Sequence, residues 1–490
     1  MSDRQRVTIA SGNRTIADID DFSFVSDEIT FLFGESGIGK SMLCKAVYGL
    51  LDPSELDITV GGLPYRHYLE ETAAIVESGF FVFQEPSSHL NPLMRTGEQL
   101  REGSIGGTES EEEILDRLWN ENDRLTLKGI LDVYPKPYRP SGGEKQRILL
   151  AMAFKKIRLL PPGVPALFVF DEPTGSLDNR YRNLFLAFLF EEWARRPFTA
   201  LVITHDYSII SEIYANAKGL VDRIHFRELR RKGEGSVELA DFRAADYLTW
   251  LQTTSAKKKI SHTGEPVLTL SSRFSIFGTG HRICRDEERR QETDLVIRAG
   301  EMVYVKAPSG AGKTTLAKVV MGLYEADKFS MRLSGVPVSQ ATPRAWFERE
   351  VWGKRAGMVF QHADEALDLE ATVAETFAGL PLKRAMSRSD LTAFLGGLFE
   401  GTLDEAFLSR KVKFLSGGQK QRLNLLRTIA MHPPLIVLDE PLNGLDFDSV
   451  RKIIAMLDDL RVKGVAMLLI SHNEEIFDTL VGKECVYYLA

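Results

Sequence analysis

The sequence predicts an α/β protein in which one domain is built twice, each copy around a parallel core sheet. Two observations carry that prediction: short motifs recur in one order along the chain, and short apolar runs stand directly before several of them. Gly37-Ile38-Gly39-Lys40-Ser41 returns as Gly310-Ala311-Gly312-Lys313-Thr314, the two lysines lying 313 − 40 = 273 residues apart. Phe83-Gln84 returns as Phe360-Gln361, and Ser141-Gly142-Gly143 as Ser416-Gly417-Gly418. Asp171-Glu172-Pro173 returns as Asp439-Glu440-Pro441, and Thr204-His205 as Ser471-His472. All offsets stay between 472 − 205 = 267 and 361 − 84 = 277 residues, so the chain is a duplication.

The first copy is expected over 1–251 and the second over 266–490, with a polar linker at 252–265. Each glycine-rich loop follows an apolar strand, Ile29–Phe33 or Met302–Lys306, and opens a helix that begins at the lysine. Ala166–Phe170 and Leu435–Leu438 have the continuous apolar character of buried parallel strands, as do Ala200–Ile203 and Ala466–Ile470. Between the glutamine and the Ser-Gly-Gly segment the pattern is polar and helical, which predicts a separate helical subdomain.

A chain of 490 residues with 44% hydrophobic and 26% charged residues buries real cores. Its net charge of −7 argues against a nucleic-acid binder. The basic runs, Arg227, Arg230, Arg231 and Lys232, then Lys257, Lys258 and Lys259, are read as solvated linker charge. Three scattered cysteines exclude a disulfide framework and a cysteine zinc site. The amino terminus lacks the apolar stretch of a signal peptide, and no apolar run approaches the roughly 18 residues of a membrane helix. A cytoplasmic location is expected, with any membrane role exercised through a partner.

Gly34-Glu35-Ser36-Gly37-Ile38-Gly39-Lys40-Ser41 fits the phosphate-loop pattern GxxxxGK[ST]. Glycines let backbone N–H groups wrap phosphates, the helix N-terminus adds positive dipole, Lys40 binds the terminal phosphates and Ser41 a Mg²⁺ ion. Ala307-Pro308-Ser309-Gly310-Ala311-Gly312-Lys313-Thr314 is the second such loop. Asp171 and Asp439 end apolar strands from which a carboxylate reaches Mg²⁺, and Glu172 and Glu440 follow to polarise the attacking water. A glycine-to-aspartate segment after each, Gly175–Asp178 and Gly444–Asp446, speaks against merely solvated acids. His205 and His472 stand at C-terminal strand edges, where ligands of open α/β sheets bind. Their duplication at a matched offset points to a contact with the γ-phosphate.

Leu415-Ser416-Gly417-Gly418-Gln419 and Pro140-Ser141-Gly142-Gly143-Glu144 are motifs that phosphate-loop proteins in general do not need. With them the chain resembles the ATP-binding cassette (ABC) ATPases over nearly its whole length. The resemblance implies two tandem P-loop NTPase domains, each a parallel-core sheet with an antiparallel edge subdomain and a helical signature subdomain. It implies ATP and Mg²⁺ as cofactors and an intramolecular pairing in which the signature of one cassette caps the ATP of the other. Phe83-Gln84-Glu85-Pro86-Ser87-Ser88-His89-Leu90-Asn91-Pro92, with Thr96-Gly97-Glu98-Gln99-Leu100, is similar to the dipeptide, oligopeptide and nickel importer ATPases. Ser272-Arg273-Phe274-Ser275-Ile276 echoes the second ATPase subunit of the same importers. There the glutamine, here Gln84 and Gln361, contacts Mg²⁺ and passes the nucleotide state to membrane permease subunits. The chain is thus expected to energise such an importer from the inner face of the cell membrane.

Other twin-cassette functions fit less well. Factors acting on ribosomes carry a long basic helical linker, whereas 252–265 is short, and Thr174-Gly175-Ser176 replaces their Thr-Asn-His. Coiled-coil DNA-repair ATPases need hundreds of residues between loop and Asp-Glu, and here only 171 − 40 = 131 separate Lys40 from Asp171. The alternative that stands is a soluble twin-cassette ATPase that remodels or activates a protein or ribonucleoprotein partner.

Adenine is usually stacked on an early aromatic residue in this family. The second copy offers Phe274 or Phe277, while Val7–Arg14 contains no aromatic and leaves Arg14. Ala307 replaces the first glycine of its loop, and would be strained if that position requires φ > 0. Pro140 replaces the leucine before the first signature, and Glu144 its glutamine. By head-to-tail pairing both departures fall in one composite site, the one supplied by the second loop, which is therefore expected to turn over more slowly. Glu172→Gln should then remove more ATPase activity than Glu440→Gln; equal losses would refute the asymmetry.

Overall fold

The computed structural model describes residues 5–490 except 13, 103–108, 120–123, 134–139, 176–178, 234–235, 256–263, 309, 383 and 385. The chain divides into two compact units, Met1–Tyr247 and Leu248–Ala490. In the first, β1 (Gln5–Ser11), β2 (Arg14–Phe22), β4 (Asp57–Val60) and β5 (Leu63–Pro64) form an antiparallel side sheet in the order β2-β1-β4-β5. The core sheet has the order β10-β9-β3-β8-β7-β6. It comprises β3 (Ile29–Gly34), β6 (Phe80–Val82), β7 (Leu167–Asp171), β8 (Thr199–Ile203), β9 (Ile224–Gly233) and β10 (Ser236–Asp241). Only β10 runs antiparallel to its neighbour, so the expected parallel core is present.

The second unit repeats the plan. Its side sheet is β14-β11-β16-β17, made of β11 (Pro266–Leu270), β14 (Leu295–Arg298), β16 (Ser330–Leu333) and β17 (Val336–Ser339). Its core sheet is β12-β13-β21-β15-β20-β19-β18. Here β12 (Arg273–Ile276) and β13 (Thr279–Cys284) form an antiparallel hairpin against β21 (Val486–Leu489). The parallel part contains β21, β15 (Met302–Lys306), β20 (Ala466–Ile470), β19 (Leu435–Asp439) and β18 (Ala356–Val359).

Why these strands lie central follows from their composition. Strands β3, β7, β8, β19 and β20 are buried at every position, as a sheet covered on both faces requires. By contrast β16 alternates exposed and buried residues and has one face outside the core. The helical segment expected between glutamine and signature is clearest in the first unit, as Thr96–Arg101, Glu109–Trp119 and Arg124–Leu131. In the second it is reduced to single 3₁₀ turns and the short helices Arg388–Leu395 and Glu405–Leu408.

One reading requires correction. Arg227, Arg230, Arg231 and Lys232 are not linker charge: they lie on β9, and each faces a carboxylate. The pairs are Arg227–Asp241 at 2.6 Å, Arg230–Glu228 at 2.6 Å, Arg231–Glu35 at 3.7 Å and Lys232–Glu238 at 3.8 Å. Lys257, Lys258 and Lys259 lie outside the described residues.

Strand β9 also explains the departure at Ala307. Gly34 has φ +141°, and a Cβ there would stand 2.8 Å from the Leu229 carbonyl oxygen, because β9 runs alongside to that point. Ala307 is not among the non-glycine residues with positive φ, so the second loop tolerates its methyl without strain. Gly34→Ala should accordingly lower the melting midpoint of the first unit, by about 2 kcal/mol of stability. Ala307→Gly should cost no more than about 1 kcal/mol. Scanning calorimetry of both variants checks this, and equal shifts would contradict it.

Candidate nucleotide site

Each glycine loop leaves a central strand and closes on a glycine in the left-handed region, Gly39 with φ 110° and Gly312 with φ 93°. The helices that follow, Lys40–Tyr48 and Lys313–Val320, begin at the lysine as the sequence predicts. Their first N–H groups and positive dipole ends point into the loops, an arrangement suited to anions. Lys40 Nζ donates to the carbonyls of Gly34 at 2.7 Å and Glu35 at 3.0 Å; Lys313 Nζ does the same to Ala307 at 2.6 Å and Pro308 at 3.2 Å. Burial lowers the Lys40 pKa, opposed by the Glu172, Asp171 and Glu35 carboxylates. In each loop the ammonium group is thus held by the carbonyls of the first two loop residues; Ser309 lies outside the described residues.

The aspartates end β7 and β19, each separated from the loop strand by a single strand, β8 or β20. That spacing brings Ser41 Oγ to 2.9 Å from Asp171 Oδ1, and Thr314 Oγ1 to 3.2 Å from Asp439 Oδ1. Burial, offset in part by these hydroxyls, pushes each aspartate up to about 6. Asp439 Oδ2 is buried with no hydrogen-bond partner among the described residues. A hydroxyl and a carboxylate with spare lone pairs are oxygen donors of the type that Mg²⁺ takes, so the residues fit the ion.

The chain then turns through a left-handed residue, Glu172 with φ 47° and Glu440 with φ 49°. Non-glycine residues hold this conformation uncommonly, at turns and at functional sites. The turn is fixed by the glutamate N–H, which donates to Ile203 O at 3.0 Å in one unit and Ile470 O at 2.9 Å in the other. From there the two carboxylates differ. Glu172 Oε2 faces His205 Nδ1 at 3.2 Å and accepts from Gln84 Nε2 at 3.2 Å. Burial works to raise its pKa, but the His205 charge and hydrogen bond, with Lys40 and Gln84, hold it below the usual glutamate value. His205 is raised by the same pairing against its own desolvation. Glu440 instead accepts at Oε2 from Ser471 Oγ at 2.9 Å and His472 N–H at 3.1 Å, while His472 Nε2 stands 3.6 Å from Oε1. Burial pushes Glu440 up to about 7. Gln361 has no side-chain hydrogen bond among the described residues, unlike Gln84.

The Ser-Gly-Gly segments open long helices, Gly142–Leu159 and Gly417–Ala430. Ser141 caps the first, accepting from Glu144 N–H at 3.3 Å while Glu144 Oε2 accepts from Ser141 N–H at 2.6 Å. Ser416 and Gln419 make the same reciprocal box at 3.2 and 3.0 Å. The fourth signature residue therefore has a capping role in both versions, which accounts for the exchange of glutamine for glutamate. Each helix is tied to its glutamine loop one residue later: Lys145 Nζ donates to Ser87 Oγ at 3.0 Å, and Lys420 pairs with Asp364 at 2.9 Å.

The structure also separates the adenine candidates. Phe277 is 73% exposed, whereas Phe274 is buried and its ring stacks on His281 with centroids 5.0 Å apart. His281 lies against the second loop, its Cε1 3.0 Å from where a Cβ on Gly312 would stand. Nothing in the local sequence marks His281; it reaches the loop through the cross-strand pairing of Phe274 with His281 in the β12–β13 hairpin. The Arg14 side chain lies outside the described part of the structure.

No described helix is long and apolar enough to cross a membrane. Comparison with known proteins agrees with the duplicated site. The ABC transporter family pattern matches residues 18–175 and again 291–443. The glutathione import ATP-binding protein GsiA of Escherichia coli (strain K12) is 26% identical over 96% of this chain and 81% of its own length. The peptidoglycan transport ATP-binding protein YejF of Agrobacterium fabrum is 28% identical over 97% and 88%. Among solved structures, the archaeal ribosome recycling factor aABCE1, in complex with stalk protein aP1, shares the fold. Its TM-score is 0.62 at 18% identity, over 96% of this chain and 87% of that one. The RNase-L inhibitor gives the same score at 17% identity, covering 98% and 89%. Matched twice and across more than half its length, the chain belongs to the ABC transporter family, whose ATP-binding cassette it carries in duplicate.

Proposed function

We propose that both cassettes bind and hydrolyse ATP, and that the chain energises import of a peptide, nickel or similar small solute through separate membrane permease subunits. The observation that carries the proposal is the twofold recurrence of one constellation. In each unit a loop lysine, a hydroxyl bonded to a strand-end aspartate, and a left-handed glutamate converge at the same edge of a parallel sheet. Import is supported by the relatives, whose names describe import and transport ATP-binding proteins and which align with nearly the whole chain. No nucleic-acid partner is proposed, and the place of action is the inner face of the cell membrane.

In this reading Lys40 and Lys313 pair with the terminal phosphate oxygens, and the loop N–H groups wrap the remainder. Ser41, Gln84 and Asp171, and in the second cassette Thr314, Gln361 and Asp439, would hold Mg²⁺, which when bound offsets phosphate charge. Glu172 or Glu440 accepts a proton from water as the water oxygen bonds the γ-phosphorus. The bond from that phosphorus to the bridging oxygen breaks, and ADP leaves with the electron pair. His205 and His472 hold a γ-phosphate oxygen. The signature residues Ser141–Glu144 and Ser416–Gln419 offer helix N-termini to a terminal phosphate. His281, backed by Phe274, stacks the adenine in the second cassette.

Three outcomes follow. Lys40→Ala combined with Lys313→Ala should lower the Mg²⁺-dependent ATPase rate at least about a hundredfold, the scale of losing a main transition-state contact; retained turnover sinks the reading. His281→Ala should raise the KM for ATP by about five- to tenfold, the worth of one stacked ring pair, and an unchanged KM removes His281 from the site. Expressed with its permease subunits, the chain should sediment with membranes, and Gln84→Ala with Gln361→Ala should release it. A chain found only in the supernatant would favour a role apart from transport.

A further inference from the structure

The two cassettes hold their glutamates by different means, and the difference traces to one buried hydroxyl. Tyr304 lies on β15, three residues before Ala307, and is wholly buried. A phenol in such a place needs a hydrogen-bond partner. Its Oη donates at 2.8 Å to the backbone carbonyl of Ser471, the residue before His472. The Ser471 hydroxyl donates in turn to Glu440 Oε2 at 2.9 Å, and the His472 N–H to the same oxygen at 3.1 Å. With Oε2 doubly held, Glu440 Oε1 is buried and has no hydrogen bond among the described residues, the His472 Nε2 standing 3.6 Å away.

The first cassette lacks this arrangement. Phe31 occupies the position three residues before Gly34 and stacks on Phe226, with centroids 5.8 Å apart and no group able to donate. Thr204 accepts at Oγ1 from the Asp206 N–H at 3.0 Å, as Ser471 does from the Asn473 N–H at 3.1 Å, but Glu172 is held by the His205 and Gln84 side chains. Among the described residues Glu172 therefore accepts no hydrogen bond from the residue before the histidine, of the kind Glu440 accepts from Ser471.

We propose that Tyr304 is a positioning residue for the second cassette: through Ser471 it sets the orientation of Glu440, with Oε1 directed to the attacking water. The inference rests on the hydrolysis reading, with Glu440 as the group that accepts the proton. The strand fixes the carboxylate before any nucleotide arrives. Losing one such hydrogen bond misorients the base without touching the phosphate loop, so the rate falls and nucleotide affinity does not.

The test uses the full chain. Measured in a Glu172→Gln background, which silences the first cassette, Tyr304→Phe, which removes only the hydroxyl, should lower the remaining kcat about three- to tenfold at unchanged KM for ATP, the scale of one net hydrogen bond. Vanadate-trapped 8-azido-ATP, mapped by proteolysis, should fall by a similar factor in the second cassette and be retained in the first. Ser471→Ala should reproduce this pattern and Ser471→Thr, which keeps the hydroxyl, should restore it; this pair carries the test if Tyr304→Phe misfolds. An unchanged kcat, a rise in KM alone, equal loss of label from both cassettes, or no rescue by threonine overturns the inference and leaves ATP hydrolysis standing. Absence of turnover in the unaltered chain would instead overturn the hydrolysis reading itself.

Discussion

Each cassette depends on a short bond between a hydroxyl at the start of a helix and a carboxylate at the end of a strand. Ser41 Oγ to Asp171 at 2.9 Å and Thr314 Oγ1 to Asp439 at 3.2 Å tie the glycine loop to the strand two places away in the sheet. The tie exists only because β3, β8 and β7, or β15, β20 and β19, lie side by side in parallel register, so that their carboxyl ends share one edge. Buried apolar runs create that register, and the left-handed glutamates then turn the chain at the ends of β7 and β19. Loop, carboxylates and histidines are consequences of one strand order.

Duplication preserved this edge while its supports diverged. The first unit surrounds its loop strand with rings: Phe33 stacks on Tyr207 at 4.7 Å, and Tyr207 on Tyr247 at 6.2 Å. It also lengthens β9, whose Leu229 carbonyl requires glycine at position 34. In the second unit the strand beside the loop strand is the four-residue β21, and Lys306 at the end of β15 makes ion pairs with Glu474 and Asp478 at 3.2 and 2.8 Å. Ala307 lies outside the positive-φ region that Gly34 occupies, so its methyl is accommodated there without strain. The differences that bear on chemistry lie instead around Glu172 and Glu440.

The sequence was most legible where function and fold use neighbours along the chain. The lysines, the Asp-Glu pairs and the central strands are local patterns: the helices begin at the lysines, and the aspartates end buried strands. What escaped detection depends on partners distant in sequence. His281 meets the second loop through hairpin register, and Tyr304 meets a carbonyl 167 residues away. The run Arg227–Lys232 looked like solvated charge because the partners of Arg227, Arg231 and Lys232 sit on the opposite strand and in the phosphate loop. Composition shows that charges are present; only the fold shows which of them are paired.

The central claim is that both loops are nucleotide sites. Isothermal titration of the purified chain with a non-hydrolysable ATP analogue in the presence of Mg²⁺ tests it most directly. Two analogue molecules bound per chain, one of them lost when either Lys40 or Lys313 is replaced by alanine, is the result this account predicts. No binding, or a stoichiometry indifferent to both lysines, would contradict it.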